Sequence, residues 1–99
     1  MTDKELIELA AKAAGIDIKW KEWVTDKEWN PLTDDGDALR LAVKLNLGVN
    51  VTSGLKWTTI TFFGPQHDMP YIEEKHGDDP YAATRRAIVR AAAEIGRTL

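Results

Sequence analysis

Apolar residues first recur at helical spacing as Leu6, Leu9, Ala10 and Ala13, between Thr2 and Gly15. Thr2 with Glu5 three residues on forms a capping box, and Gly15 offers a left-handed stop, so the pattern predicts a helix over 3–14. Ile16-Asp17-Ile18-Lys19-Trp20-Lys21 then alternates apolar and polar positions, which fits a short half-buried strand or a packed loop. The alternation breaks up between Glu22 and Trp29. Trp20, Trp23 and Trp29 are close in sequence, and burial of at least two of these large side chains is expected to tether the stretch to the core.

A second helix is expected to begin at Thr33 or Asp34. Pro31 biases Asn30 away from helix, Thr and Asp are good N-caps, and acids in the first turn complement the helix dipole. Ala38, Leu39, Leu41, Ala42, Val43 and Leu45 leave only a narrow polar strip through Asp37, Arg40 and Lys44, a pattern that predicts a core helix covered on two sides. Val49 to Thr52, a Ser53-Gly54 turn and the β-branched, aromatic run Leu55 to Phe63 read as a hairpin. Gly64-Pro65 ends that strand, and Met69 to Lys75 is expected to return as a third antiparallel strand, at an edge because of Pro70.

Asp79 as N-cap and Pro80 at the first helical position announce the last helix, from about 80 to 96. Tyr81, Thr84, Ile88, Ala92 and Ile95 line one of its faces, the one expected to be buried, and Arg86, Arg90, Glu94 and Arg97 its outer face. Arg90 and Glu94 are spaced to pair at i,i+4, and Arg97 suits the negative end of the dipole. The elements add up to an α+β fold: one single-domain sandwich over residues 1–99, with a short, mostly antiparallel sheet of three to four strands packed with three α-helices.

Two segments carry a family resemblance: Trp29-Asn30-Pro31-Leu32-Thr33-Asp34-Asp35-Gly36-Asp37-Ala38, and Asp79-Pro80-Tyr81-Ala82-Ala83-Thr84-Arg85-Arg86-Ala87-Ile88-Val89-Arg90-Ala91-Ala92. Together they resemble the small bacteriophage proteins grouped as the phage ABA sandwich domain. In that family a tryptophan-proline segment with an acidic turn opens a middle helix, a short sheet follows, and an alanine- and arginine-rich helix closes the domain. The resemblance implies a phage or prophage origin and action in the host cytoplasm. It brings no biochemical function and no catalytic residues with it.

Composition narrows the chemistry further. Ninety-nine residues with 43% apolar content suffice for one core without staples. With no cysteine there is no disulfide, thiolate zinc site or nucleophilic thiol. The start Met1-Thr2-Asp3-Lys4-Glu5 lacks the basic and apolar regions of a secretory signal, and no apolar run approaches the ~18 residues of a membrane span, so a soluble, unprocessed protein without a membrane partner is expected. Thirteen basic against sixteen acidic residues give a net charge of -3, which disfavours nucleic acid as a partner of the molecule as a whole.

No catalytic constellation stands out. Asp34, Asp35 and Asp37 lack the ligand alternation of a calcium loop, since Gly36 interrupts after two acids, and helix capping accounts for them instead. His67-Asp68 and His76 with Asp78 and Asp79 fall in polar connections and read as solvated loop residues, and Ser53, the sole serine, sits in a turn. The glycines form neither a P-loop nor a dinucleotide fingerprint, so no metal and no cofactor is expected.

Binding is the remaining lead. Arg85, Arg86, Arg90 and Arg97 form a candidate face for phosphates or carboxylates, with Lys44 a further cation for a small anionic ligand such as a nucleotide. The order helix, three strands, helix is similar in outline to a double-stranded RNA-binding domain, but Asp78-Asp79-Pro80 stands where such domains need cations. If Trp20, Trp23, Trp57, Phe63 or Tyr71 is not buried in the monomer, it would anchor a homodimer or an unidentified host or phage protein. The sequence reading is therefore a non-enzymatic phage accessory protein, with a small-anion binder and an RNA-binding module as alternatives.

Overall fold

The computed structural model describes residues 1–16, 29–62 and 70–99, in the order α1 (Asp3–Ala14), α2 (Asp35–Lys44), β1 (Gly48–Thr52), β2 (Trp57–Thr61), β3 (Tyr71–Lys75) and α3 (Pro80–Arg97). Most of the 16–21 stretch, together with Trp20, Trp23, Phe63 and His67, lies outside the described residues. Of the three clustered tryptophans, Trp29 is described, and it is buried in the core.

Local chemistry sets the helix starts. Thr2 accepts the Glu5 N–H at 3.2 Å and its own N–H donates to the Glu5 carboxylate, which closes the expected capping box. The Thr2 backbone N–H, and then its hydroxyl, hold the Glu5 carboxyl below the usual carboxylate range. At the other end Gly15 takes the left-handed conformation (φ 70°) that a residue with a Cβ adopts only with strain. Ahead of α2, the Asn30 side chain accepts the Leu32 N–H and the Asn30 carbonyl accepts from Thr33 and Asp34, building the turn at Pro31. Asp34 then caps α2 by accepting the Asp37 N–H at 2.8 Å.

The sheet has the strand order β1-β2-β3 with both pairings antiparallel. Its register aligns Val49, Ile60 and Ile72, and next to them Val51, Thr58 and Glu74, on the face that looks toward the helices. Trp57, Thr59, Thr61 and Tyr71 fall on the opposite face, exposed or half-buried. The hairpin turn is longer than its Ser53-Gly54 signal predicts, spanning four residues between the paired Thr52 and Trp57. Lys56, not a glycine, takes the left-handed position (φ 59°), and its carbonyl accepts the His76 N–H, so the turn is held from the far end of β3.

Three expectations about the helices reverse. The apolar circumference of α2 predicts burial on two sides, yet Leu39 and Val43 are 63% and 69% exposed, because among the described residues α2 packs chiefly on α3 and does not cover β1. Asp37, expected on a polar strip, is instead buried, where its carboxylate accepts the Asn30 N–H and the Arg40 guanidinium. The two-sided helix is α3. Ala87, Ile88, Val89, Ala91, Ala92 and Ala93 are all buried, since α1 lies against one side and strands β2 and β3 against another. Tyr81, expected on the buried face, is 70% exposed at its N-terminal end.

Candidate functional site

The arginine face does not assemble. Arg85 donates through Nε to the Leu32 carbonyl and through Nη1 to Asp35 at 2.6 Å, tying α3 to the start of α2. Arg86 pairs with Asp3 of α1 at 2.8 Å. Arg90 turns to β3, where it meets the Glu74 carboxylate and the Glu73 carbonyl, so the expected i,i+4 pair with Glu94 is replaced. Glu94 pairs with Arg97 instead. Four cations thus point to four places, each with a carboxylate already on it. An anion would have to displace that carboxylate, which removes most of the electrostatic gain.

His76 departs from its expected place among solvated loop residues. Ile72, Glu74 and His76 share the inward alternation of β3, which carries the imidazole under α3, where it is 6% exposed. Its Nε2 lies 2.8 Å from the Thr58 hydroxyl, which in turn lies 2.9 Å from that of Thr84. A hydroxyl beside an imidazole has the outline of a nucleophile and its base. Here Thr58 is fully buried and also bonded to Thr84, so no substrate reaches it, and the trio serves to pin the sheet to α3.

The acidic cluster is equally committed. Asp34 caps, Asp35 holds Arg85, and Asp37 holds the Asn30 turn. Among the described residues no group of three or more histidine, aspartate or glutamate side chains is arranged to hold a metal ion. Among the described residues, no helix is long and apolar enough to cross a membrane.

What the fold does leave is a cleft of about 400 Å³ between α2, β1 and the N-terminal end of α3. Ala38 and Leu39 form one wall, Val49 and Val51 the sheet side, and Pro80, Tyr81 and Ile88 the α3 side. It exists because α2 reaches β1 only through the short 45–47 connection and lies against α3, so nothing described fills the space above the two valines. Its polar members are spent: the Arg85 and Asp35 side chains bond each other, and Thr84 bonds Thr58. Ser53, at the hairpin end, has no histidine in hydrogen-bonding reach among the described residues.

The cleft thus presents apolar surface without an unpaired charge, a chemistry suited to apolar side chains of another protein rather than to an anion. Of the sequence candidates, Trp57 is 39% exposed on the opposite face of the sheet, away from the cleft, and Arg85 alone of the arginines lines it. Leu39, Val43, Val49, Val51 and Tyr81 were all legible as apolar positions, but helical periodicity made Leu39 and Val43 core, and Val49 and Val51 were read only as residues of a hairpin strand. The signal that separates the two edge strands is charge: β1 carries no charged residue over Gly48–Thr52, whereas β3 carries Glu73, Glu74 and Lys75. Comparison of the chain with protein-family models, curated proteins and solved structures gives no match, so the site is read from its own geometry.

Proposed function

We propose that this chain is a non-enzymatic binding protein, a phage or prophage accessory protein acting in the host cytoplasm, and that it engages a protein partner through the cleft between α2, β1 and α3. The phage setting rests on the resemblance of the Trp29–Ala38 and Asp79–Ala92 segments. The observation that carries the binding reading is the clustering of Leu39, Val49, Val51 and Tyr81, each between 42% and 70% exposed, around one cleft. Scattered exposed apolar residues are ordinary on a protein surface; a contiguous set with no charge of its own is what binding surfaces display.

The small-anion and RNA alternatives draw their support chiefly from the arginines, each of which is already paired; Lys44 makes no ion pair among the described residues, but it stands exposed outside the cleft and away from those arginines' sites. The test is capture of proteins from host and phage-infected lysate on the immobilised chain, comparing the wild type with Leu39→Asp and with Trp57→Ala. Loss of a captured protein with Leu39→Asp and retention with Trp57→Ala is the expected result. Equal capture by all three would remove the cleft from the reading, and turnover of a substrate abolished by His76→Ala would overturn the non-enzymatic part.

A further inference from the structure

The two edges of the sheet are built differently. β3 carries Pro70 ahead of it, Glu73, Glu74 and Lys75 along it, and Arg90 bonded to its Glu73 carbonyl. Proline and charge are the usual means by which an edge strand is kept from pairing with another chain. β1 has neither. It reads Gly48-Val49-Asn50-Val51-Thr52, pairs among the described residues with β2 alone, and exposes four of its five residues.

We infer that β1 pairs antiparallel with β1 of a second copy, about a two-fold axis at Asn50, so that two three-stranded sheets join into one of six. The inference rests on the reading of the α2–β1 side as a binding surface and names its occupant. Centring the axis on Asn50 engages all five residues of the strand, with Val49 opposite Val51 of the other copy and Asn50 opposite its own equivalent. Residues directly opposite in an antiparallel pair share a face, so the four valines form one strip on the helix side, which a shift of one residue would break by setting valine against asparagine. The strand is self-complementary in pattern, as a two-fold interface requires.

Charge favours the same arrangement. α2 runs back along β1, since the cleft is lined both by Asp35 at the start of the helix and by Ser53 just past the end of the strand. An axis normal to the sheet therefore places the two α2 helices antiparallel on the same face, with opposed dipoles. Lys44 stands at the C-terminal end of α2, so each lysine moves toward the N-terminal, acidic end of the other helix, where Asp34 and Asp35 keep their own pairs with Arg40 and Arg85. Lys44 is exposed and makes no ion pair among the described residues. The flanking Leu39 and Val43, one turn apart on the uncovered side of α2, then have apolar surface of the second copy to face.

The experiment is sedimentation velocity of the full chain over a concentration series, for the wild type, Asn50→Lys, Asn50→Asp and an equimolar mixture of the two variants. Asn50 is exposed, so both variants should keep the wild-type circular dichroism and melting curve measured in the monomer range. Like charges set opposite each other should weaken self-association by about tenfold or more in each single variant, and the mixture should regain the dimer mass. Should either variant fold poorly, Val51→Thr gives the same reading, loss of the dimer without added charge. A wild type that stays monomeric, single variants that dimerise unchanged, or a mixture that does not recover would each overturn the pairing. A monomeric wild type that still captures a lysate protein in a Leu39-dependent manner overturns the pairing alone and leaves the binding reading standing; a dimer that captures nothing supports the pairing and overturns the hetero-partner.

Discussion

The molecule has a closed side and an open side, and the same sheet belongs to both. On the closed side α3 is pressed between α1 and strands β2 and β3, with alanines at most contact positions and Ile60 and Val89 fully buried. Polar groups there are paired across elements, as in Thr58 with His76 and Thr84, and Arg90 with Glu74. On the open side Val49 sits beside Ile60 on the same face, one strand away, yet is 42% exposed where Ile60 is inaccessible. Residue type does not separate these positions, because both are β-branched and point the same way. What separates them is the width of α3, which covers two strands and stops short of the third.

The largest effect should come from cutting the closed side at its centre. Ile60→Ala is expected to cost about 2–5 kcal/mol, since the cavity it leaves is enclosed by Val49, Ile72 and the helix above. Val49→Ala, one strand over, should cost under about 0.5 kcal/mol at concentrations where the chain is monomeric. Urea midpoints at equal slope measure both. Similar losses for the two would erase the distinction between the sides.

Next in size is Gly96→Ala. A Cβ on Gly96 would fall inside contact distance of the Leu9 carbonyl, so α1 approaches α3 at this point only because no side chain intervenes. Helix propensity alone predicts a gain of about 1 kcal/mol from this substitution, whereas forcing the helices apart predicts a loss of about 1–3 kcal/mol. The sign of the change in melting temperature decides between them, and a loss is expected.

That contact also shows what the chain discloses about itself and what it withholds. The starts of α1 and α3 were legible because capping is local: Thr2 with Glu5, and Asp79 with Pro80, act within one turn. The hairpin and the edge position of β3 followed from β-branched density and Pro70. The exchange of roles between α2 and α3 was not legible. An apolar helix circumference says that burial is sought, not that a neighbour is wide enough to provide it, and Leu39 and Val43 remained uncovered. Conversely, the alanines of α3 give a weak hydrophobic signal, yet they line the helix that packs most extensively against α1. The candidate site fared similarly. The arginines were read as one face, but Asp3, Asp35 and Glu74, the partners of Arg86, Arg85 and Arg90, are distant in sequence, and only folding shows that these cations are dispersed and taken.

A smaller effect tests the latch on the guarded edge. Arg90→Ala removes the bond to the Glu73 carbonyl and the ion pair with Glu74, in which both side chains are partly exposed. The expected loss is up to about 1 kcal/mol, shrinking at high salt as the Coulombic part is screened. If the β3 edge depends on this latch for its protection, the variant should also self-associate more readily than the wild type, by light scattering at matched concentration. A loss that does not change with salt would assign Arg90 a packing role and leave Pro70 and the strand's own charges as the guard.

The smallest effect on the folded monomer, and the sharpest on the comparison, is expected from the double change Val49→Thr with Val51→Thr. Both valines are nearly isosteric with threonine and both face the open cleft, so the added hydroxyls stay hydrated and monomer stability should move by no more than about 0.5 kcal/mol. The same hydroxyls become costly once the strip is covered, because each would lose water without gaining a partner. Melting temperature against protein concentration separates the two states: a chain that pairs through β1 melts higher as concentration rises, and the double variant should melt at one temperature throughout. A double variant that is unstable even when dilute would mean that the valines are already covered in the monomer, and the open side would then be closed.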